Sequence, residues 1–212
     1  GGISKLSKER LLEELKKIVK INILEKLSKD KLSLDLILTI FSELKNINIF
    51  SKLSTSNKDL LKKKDFIFLI SLMIIDGTDN TDYFLYKFNI SKKDQKRIKI
   101  IDNFYKEKIN SKTFTENNMN KVFYYDGKEA TIDILDYRIV KSNRIDNTLK
   151  ELSKHYENSD VPKLPISADL LMKKYEIPEG KYLGEKLRII EEEWVKNNFK
   201  ISDQQIDNIV NN

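Results

Sequence analysis

The sequence is poor in several residue types, with no cysteine, one histidine, three prolines and six glycines among 212 residues. Without cysteine the chain can form neither disulfides nor thiolate metal sites, which fits the reducing cytoplasm. The single histidine, His155, excludes metal sites built on paired histidines, and its place near a predicted helix end indicates a capping or surface role. All three prolines and two of the glycines lie between residues 162 and 184, around the start of a long amphipathic run.

Long apolar segments are missing as well. No stretch approaches about 18 uncharged apolar residues, so the sequence predicts no membrane span. The apolar run FIFLISLMII at 66–75 predicts a buried helix. Because the first ten residues lack the apolar core of a secretion signal, we expect a cytoplasmic protein without a membrane partner.

Positive charge is in modest excess, with 39 lysines and arginines against 33 acidic residues and a net charge of +6. Basic clusters occur at 62–64, 92–99 and 181–188. Such an excess favours contact with nucleic-acid phosphates. The alternative is that lysine-rich faces only keep a helical protein soluble, and charge alone leaves both interpretations open.

Apolar residues recur at helical spacing along most of the chain, which predicts an all-α fold with a small C-terminal helical unit. At 6–19, Leu11, Leu15 and Ile18 follow the i, i+4, i+7 pattern, and Ser7 is a suitable N-cap. Further helices are predicted at 32–47, at 57–75, from the capping pattern SKKD (91–94) to about Lys108, and after the capping pattern SDQQ (202–205).

The segment KVFYYDGKEATIDILDY at 121–137 is compatible with two structures. Its Asp-Gly pair, ending at Gly127, lies between residues of strand-like composition and is a hairpin signal. However, Ile132, Leu135 and Ile139 keep a helical spacing. We therefore predict a helix, a glycine C-cap at Gly127 and a second helix. Farther along, Pro162 and Pro165 in ENSDVPKLPIS (157–167) indicate a linker, because proline is excluded from helix interiors.

No catalytic constellation can be identified from spacing. The loop DGTDNTD at 76–82 has Thr81 and Lys87 where a calcium-binding loop needs glycine and glutamate, so it predicts a polar surface loop. Asp133 and Asp136 share one helical face at i, i+3. They lack the third carboxylate that two-metal phosphoryl transfer needs, and we expect both to be solvated.

The stretch IPEGKYLGEKLRIIEEEW at 177–194 combines a glycine-containing turn with an apolar helical stripe. Without side chains, Gly180 and Gly184 permit close backbone approach, and amide groups at a helix start can hold a phosphate. The alternative is a helix–turn–helix corner packed for its own stability.

Residues 164–202 resemble the C-terminal tail of bacterial tRNA nucleotidyltransferases, the CCA-adding enzymes, and of their poly(A) polymerase relatives. The family pattern is a proline, a DLL-like helix start, an Ile-Pro-x-Gly-x-x-x-Gly turn, and a long helix with an acidic residue before tryptophan and a later phenylalanine. The matching residues are Pro165, Asp169, Leu170, Ile177, Pro178, Gly180, Gly184, Glu191 or Glu193, Trp194 and Phe199.

Two more segments resemble the same family. The segment 6–19 is similar to its neck motif, and FYYDGKEATIDILDY at 123–137 is similar to a helix–Gly–helix segment. Two departures occur at positions where the family often has glycine, namely Ala168 and Glu176. We therefore expect the start of the turn at Glu176 to be less strained or differently shaped.

The resemblance implies that this sequence lacks the family's catalytic head. The head's Gly-Ser turn, metal-binding aspartates and Glu-Asp-x-x-Arg motif do not occur in it. The resemblance implies an elongated helical array, with the end of the neck helix at 1–21, a tRNA-binding helical body at 22–158 and a helical tail at 159–212. It implies no catalytic or metal-ligating residue here, and Mg²⁺ with CTP or ATP only for the full-length enzyme. It also implies two partners, tRNA and the missing head.

In this family, body and tail hold the acceptor and T-stem region of tRNA by shape and backbone charge. The resemblance implies that four neck residues support the nucleotide pocket: Glu9, Arg10, Glu14 and Lys17. Charge and placement predict tRNA contacts for Lys173, Lys174, Gly180, Lys181, Gly184, Lys186 and Arg188. CCA and poly(A) addition both remain open, and the alternative function is a stand-alone helical RNA-binding or protein-interaction module.

Overall fold

A computed structural model describes residues 7–110, 112–142 and 145–211. All regular structure within these ranges is helical, with thirteen α-helices, one 3₁₀ helix and no strand, which confirms the predicted all-α fold. Of the predicted neck segment, the first six residues lie outside the described ranges.

The helices belong to two compact units, which are not continuous in sequence. Unit 1 comprises the described residues of 1–109 and 133–150, and unit 2 those of 110–132 and 151–212. Unit 1 contains α1 (Lys8–Ile18), α2 (Ile21–Lys29), α3 (Lys31–Ile40), the 3₁₀ helix (Ile47–Lys52), α4 (Thr55–Leu61), α5 (Phe66–Ile74), α6 (Asn80–Lys87) and α7 (Lys92–Lys106). Unit 2 contains α8 (Glu116–Tyr125), α11 (Ala168–Tyr175), α12 (Lys181–Lys196) and α13 (Asp203–Asn211), whereas α9 (Gly127–Lys141) and α10 (Asn147–Glu157) contain residues of both.

Helix α5 forms the centre of the unit 1 core. Its residues from Phe68 to Ile74 are all buried, because the helix is apolar on every side. This confirms the buried helix predicted for the apolar run. The predicted helix at 57–75 is nevertheless two helices, α4 and α5. The break has a local cause: the Asp65 carboxylate accepts a hydrogen bond from the Phe68 amide at 3.1 Å and starts a new helix.

The single helix predicted at 32–47 is also wrong, since α3 ends at Ile40. The apolar residues Phe41, Leu44 and Ile47 are buried as their spacing indicates, but turns and the 3₁₀ helix bring them into the core. Asn46 explains the difference: its amide donates to the Met73 carbonyl at 3.0 Å and its side chain to the Ile75 carbonyl at 2.7 Å. These bonds to α5 compete with continued helix formation.

Local capping signals are confirmed at several helix ends. Ser7 and Ser91 each accept a hydrogen bond from the amide three residues later, at the starts of α1 and α7. At the start of α13, Ser202 and Gln205 form a reciprocal capping box, with N···O distances of 2.9 and 3.2 Å. Gly127 has φ +91° between α8 and α9, as predicted for a glycine that ends one helix and precedes another.

Unit 2 has an apolar cluster and an aromatic cluster. Ile166, Leu171, Leu183 and Ile190 belong to the apolar cluster, together with residues of α13. In the aromatic cluster, the Trp194 ring lies 5.3 Å from the Tyr124 ring and 5.0 Å from the Phe199 ring, between centroids. The backbone just after α12 is unusual, since both Asn198 and Phe199 have positive φ, at 52° and 60°. The segment 158–167, which contains two of the prolines, has no helix and lies within unit 2.

Candidate nucleic-acid interface

The turn between α11 and α12 has the unusual backbone conformation that its glycine content indicates. Ser167 caps α11 by accepting from the Leu170 amide at 3.2 Å, and α11 ends at Tyr175. Gly180 then takes φ +152° and ψ −169°, a conformation open essentially to glycine alone. A Cβ at Gly180 would meet no described atom within 4 Å, so this glycine serves the backbone conformation rather than close packing.

Glu176 corrects one expectation about this turn. It stands where the family often has glycine, and we expected a less strained or differently shaped backbone. Instead it has φ 54° and ψ 31°, the left-handed conformation that glycine adopts at a helix C-terminus. The chain therefore keeps this conformation with a side chain that disfavours it, at a cost of about 1 kcal/mol.

Gly184 lies in α12, one turn after Gly180, and is exposed. No described atom lies within 4 Å of the place where its Cβ would be, so the close approach expected there is absent from the described part of the chain. Glycine inside a helix costs about 1 kcal/mol relative to alanine. The packing of unit 2 does not require this glycine, and its face of α12 is open to solvent.

Among the described residues, no side chain caps the first backbone amides of α12. Its N-cap, Gly180, has no side chain to accept from them, and the turn contains no acidic residue. The first amide groups of a helix have no partner within the helix, and the macrodipole places partial positive charge there. Lys181, the first residue of the helix, adds a full positive charge.

The predicted lysines and arginine around the turn differ in their surroundings. Lys173 and Lys181 are exposed, and within the described ranges neither forms an ion pair. Lys174 is also exposed, but its ammonium lies 3.6 Å from Asp207, and a hydrogen bond with Tyr175 raises its pKa. Lys173 and Lys181 therefore present the least neutralised charge of the predicted group.

Two further members of the group interact within unit 2. Lys186 is only 8% exposed, and its ammonium donates a hydrogen bond to the Ile209 carbonyl at 2.8 Å, in the last turn of α13. A cation there stabilises the negative end of the helix dipole. Arg188 is exposed and pairs with Glu192 one turn along α12. Lys186 therefore contributes to the packing of α13, whereas Arg188 lies on the surface.

The four predicted neck residues, Glu9, Arg10, Glu14 and Lys17, lie exposed on α1 in unit 1. Glu14 pairs with Lys17 at 2.8 Å, and this hydrogen bond lowers the pKa of the Glu14 carboxyl. Their side chains contribute little to the core of unit 1, which α1 contacts through the buried Leu15 and through Leu11, Leu12 and Ile18.

Asp133 and Asp136 contradict the expectation that they are solvated. They are only 2% and 3% exposed. Asp133 accepts from Arg97 at 2.7 Å, and Asp136 pairs with Lys64. Burial alone would lower the pKa of Arg97, but hydrogen bonds to Asp133 and Asp65 outweigh it and raise that pKa. The i, i+3 spacing of Asp133 and Asp136 correctly indicated that the two carboxylates share a helix face. It did not indicate that this face is buried.

No group of three or more acidic or histidine side chains converges at metal-binding distance within the described ranges. The polar surface loop predicted at 76–82 is confirmed only at 76–79, where the Asp76 carboxylate accepts from the Thr78 amide at 3.0 Å and from Lys45. The prediction is wrong for 80–82, because these residues begin α6, and Asn80 and Thr81 are buried. None of the described helices combines the length and the apolar character needed to cross a bilayer.

Two comparisons with known proteins produced matches. The family model described as "tRNA nucleotidyltransferase domain 2 putative" matches residues 58–210, which is more than half of the chain. This region contains the α11–α12 turn, whereas the four residues of α1 precede it. The CRISPR-associated endoribonuclease Cas13a of Leptotrichia buccalis is 28% identical over 168 residues. The chain spans only a small part of that relative, since the aligned region covers 76% of this chain but 14% of the Cas13a protein.

Proposed function

Because the chain belongs to the tRNA nucleotidyltransferase domain 2 family, we propose that it is the RNA-binding part of a tRNA nucleotidyltransferase. In this proposal it holds the acceptor and T-stem region of tRNA while a catalytic head, with Mg²⁺ and CTP or ATP, adds CCA to the 3′ end. The head is the protein partner of this chain, and Mg²⁺ would bind to the head. The protein would act in the cytoplasm, where tRNA is processed.

The observation that supports tRNA binding most is the exposed cationic surface of the α11–α12 turn. Lys173 and Lys181 are exposed and form no ion pair among the described residues, and the first turn of α12 has no side-chain cap. Phosphate oxygens accept hydrogen bonds from both kinds of group, without regard to base sequence. At Gly184 the missing side chain would let an RNA backbone approach α12 closely.

The other residues predicted to contact tRNA or to support the nucleotide pocket have smaller roles. Lys174 and Arg188 are exposed and could exchange their carboxylate partners for phosphate. Lys186 would act indirectly, since its ammonium is bound to the Ile209 carbonyl. In unit 1, the exposed side chains of Glu9, Arg10, Glu14 and Lys17 are available to a further domain, and we propose that they support its nucleotide pocket.

The test compares tRNA binding by two double variants with the same change in net charge. Lys173→Gln with Lys181→Gln removes the two unpaired charges at the turn. The control, Lys154→Gln with Lys163→Gln, removes two exposed charges elsewhere in unit 2. We expect the turn variant to bind tRNA about tenfold more weakly and to reduce the slope of log K against log salt by about 1 to 2, because each lysine that contacts a phosphate releases a counterion.

One outcome of this experiment would contradict the proposal. Equal weakening by the two double variants would show that only net charge matters, and the turn would then have no special part in tRNA binding. The substrate should be a tRNA that lacks its 3′ CCA, with a hairpin of unrelated shape as the competing RNA, because the proposal requires recognition of tRNA shape.

A second candidate is a stand-alone helical RNA-binding module. The similarity to part of a CRISPR-associated endoribonuclease favours RNA binding outside a nucleotidyltransferase. Nucleotide incorporation distinguishes the two. A nucleotidyltransferase head from the same genome should add CMP and AMP to tRNA faster in the presence of this chain, whereas a stand-alone module would leave the rate unchanged.

A further inference from the structure

A cavity in unit 1 is not used by the function proposed above. Its volume is about 520 Å³, and it lies where the start of α2 faces α4 and the start of α5. The floor is apolar, formed by the buried side chains of Val19, Leu61 and Leu69, and Phe66 adds a half-buried ring to the wall. Ligand cavities have typical volumes of about 300 to 1,000 Å³, with mainly apolar walls and a few polar groups.

The polar part of the wall is mainly cationic. Four lysines line the cavity, Lys20, Lys58, Lys62 and Lys64, against one carboxylate, Glu25. Lys64 forms an ion pair with the buried Asp136 carboxylate. Lys62 forms a solvent-exposed ion pair with Asp59 at 3.2 Å. Lys20 forms no ion pair within the described ranges, which leaves the cavity with unneutralised positive charge.

Glu25 holds one of these lysines in place. Its carboxylate accepts hydrogen bonds from Lys58 and Lys29, each at 2.7 Å. These bonds lower the pKa of Glu25 to about 2, so the carboxylate stays charged at neutral pH. The Lys58 ammonium is therefore fixed at the wall, at the edge of the apolar floor, rather than moving through solvent.

The start of α2 adds hydrogen-bond donors to the same wall. Its N-cap is Lys20, whose side chain makes no capping bond, and its first turn has no acidic residue. Ile21 and Asn22, which line the cavity, are the first two residues of the helix. Their backbone amides have no partner within the helix, and the side-chain amide of Asn22 adds both a donor and an acceptor.

We propose that this cavity binds a nucleotide. Its phosphate would lie against Lys20, Lys62 and the first turn of α2, and its base against Phe66 and the apolar floor, with Asn22 at the base edge. The shared chemistry is a phosphate joined to an aromatic base, whether as a free mononucleotide or as one nucleotide of an RNA strand. The proposal goes beyond tRNA binding by α11 and α12, and none of the four predicted neck residues lines the cavity.

Binding of AMP to the complete chain, measured by calorimetry, provides the first test. Lys20→Gln with Lys62→Gln removes two cations of the cavity. Lys26→Gln with Lys63→Gln is the matched control, because these exposed lysines lie within six residues of the first pair and do not line the cavity. We expect about tenfold weaker AMP binding in the first variant, since charge-assisted hydrogen bonds are lost, and little change in the control. Equal weakening in both variants would overturn the proposal.

The aromatic part of the site is tested with Phe66→Leu, which keeps the residue apolar. We expect this variant to weaken AMP binding and to leave the binding of inorganic phosphate unchanged, with thermal unfolding as the check on the fold. Wild-type binding of inorganic phosphate as tight as that of AMP would overturn the proposal, because the base would then contribute nothing.

An RNA trinucleotide distinguishes the two sources of the ligand. AMP binding that depends on Lys20 and Lys62 identifies a free nucleotide. If AMP does not bind but the trinucleotide does, with the same dependence, the ligand is a nucleotide of RNA. Insensitivity of both ligands to the Lys20 and Lys62 changes would contradict the proposal. Because the lysine variants of the α11–α12 turn lie in unit 2, failure of this site leaves the tRNA result unaffected.

Discussion

In unit 1, Arg97 and Lys64 are held by the buried carboxylates of Asp133 and Asp136. In unit 2, by contrast, Lys173 and Lys181 are exposed and form no ion pair with any carboxylate of the described residues. All four cations contribute equally to the net charge of the sequence. Only the second pair is available to a ligand, because an ammonium or guanidinium already paired with a buried carboxylate must lose that partner before it can bind a phosphate. Exposure and ion pairing, as well as the number of basic residues, therefore decide which of these four cations a phosphate can contact.

The largest effect is expected when the buried pairing in unit 1 is broken. Asp133→Ala removes the buried carboxylate partner of the Arg97 guanidinium, whose side chain is only 15% exposed, and leaves the exposed Asp65 carboxylate at 2.5 Å. Loss of one partner from a buried pair typically destabilises a protein by about 3 kcal/mol or more. Urea unfolding should show this loss. Asp59→Ala, which breaks the exposed pair with Lys62, should change stability by about 0.5 kcal/mol or less. Equal effects would mean that burial does not distinguish the two pairs.

Gly184→Ala should increase the stability of unit 2 and weaken tRNA binding. Nothing in the described chain opposes the added Cβ, so the higher helix propensity of alanine should stabilise unit 2 by about 1 kcal/mol. The same methyl group would obstruct an RNA backbone on α12, and tRNA binding should weaken. Asn208→Ala, at an exposed position of α13, is the control for the gain in helix propensity. Unchanged tRNA affinity in Gly184→Ala would exclude this face of α12 from the interface.

The smallest expected effect concerns the backbone at the start of the turn. Glu176→Gly should stabilise the protein by about 0.5 kcal/mol, because glycine tolerates the left-handed conformation but has more freedom in the unfolded chain. The matched change Glu179→Gly, at a nearby exposed residue without positive φ, should stabilise nothing. Thermal unfolding can measure both. Stabilisation by both changes, or by neither, would mean that the conformation of Glu176 is not strained.

Features that depend on neighbouring residues could be predicted from the sequence. The N-caps at Ser7, Ser91 and Ser202 and the positive φ of Gly127 follow from contacts within about four residues, so a short sequence pattern contains the necessary information. For the same reason the all-α class could be predicted from apolar spacing.

Features that depend on distant partners could not be predicted in the same way. Asp133 accepts a hydrogen bond from Arg97, which lies 36 residues earlier in the sequence. The ammonium of Lys186 donates to the carbonyl of Ile209, which lies 23 residues later. Nothing in the local spacing of Asp133 or Lys186 distinguishes a solvated charge from a paired one. The candidate interface was thus predicted as a region, and the division between its exposed and engaged cations required the structure.

The position of the only tryptophan has a practical consequence. Trp194 is 3% exposed and lies among the rings of unit 2, so its emission reports the state of that unit alone. Far-ultraviolet dichroism, by contrast, sums helices from both units. A difference between the midpoints of the two signals on heating would reveal that the units melt in separate steps, without any label or added probe.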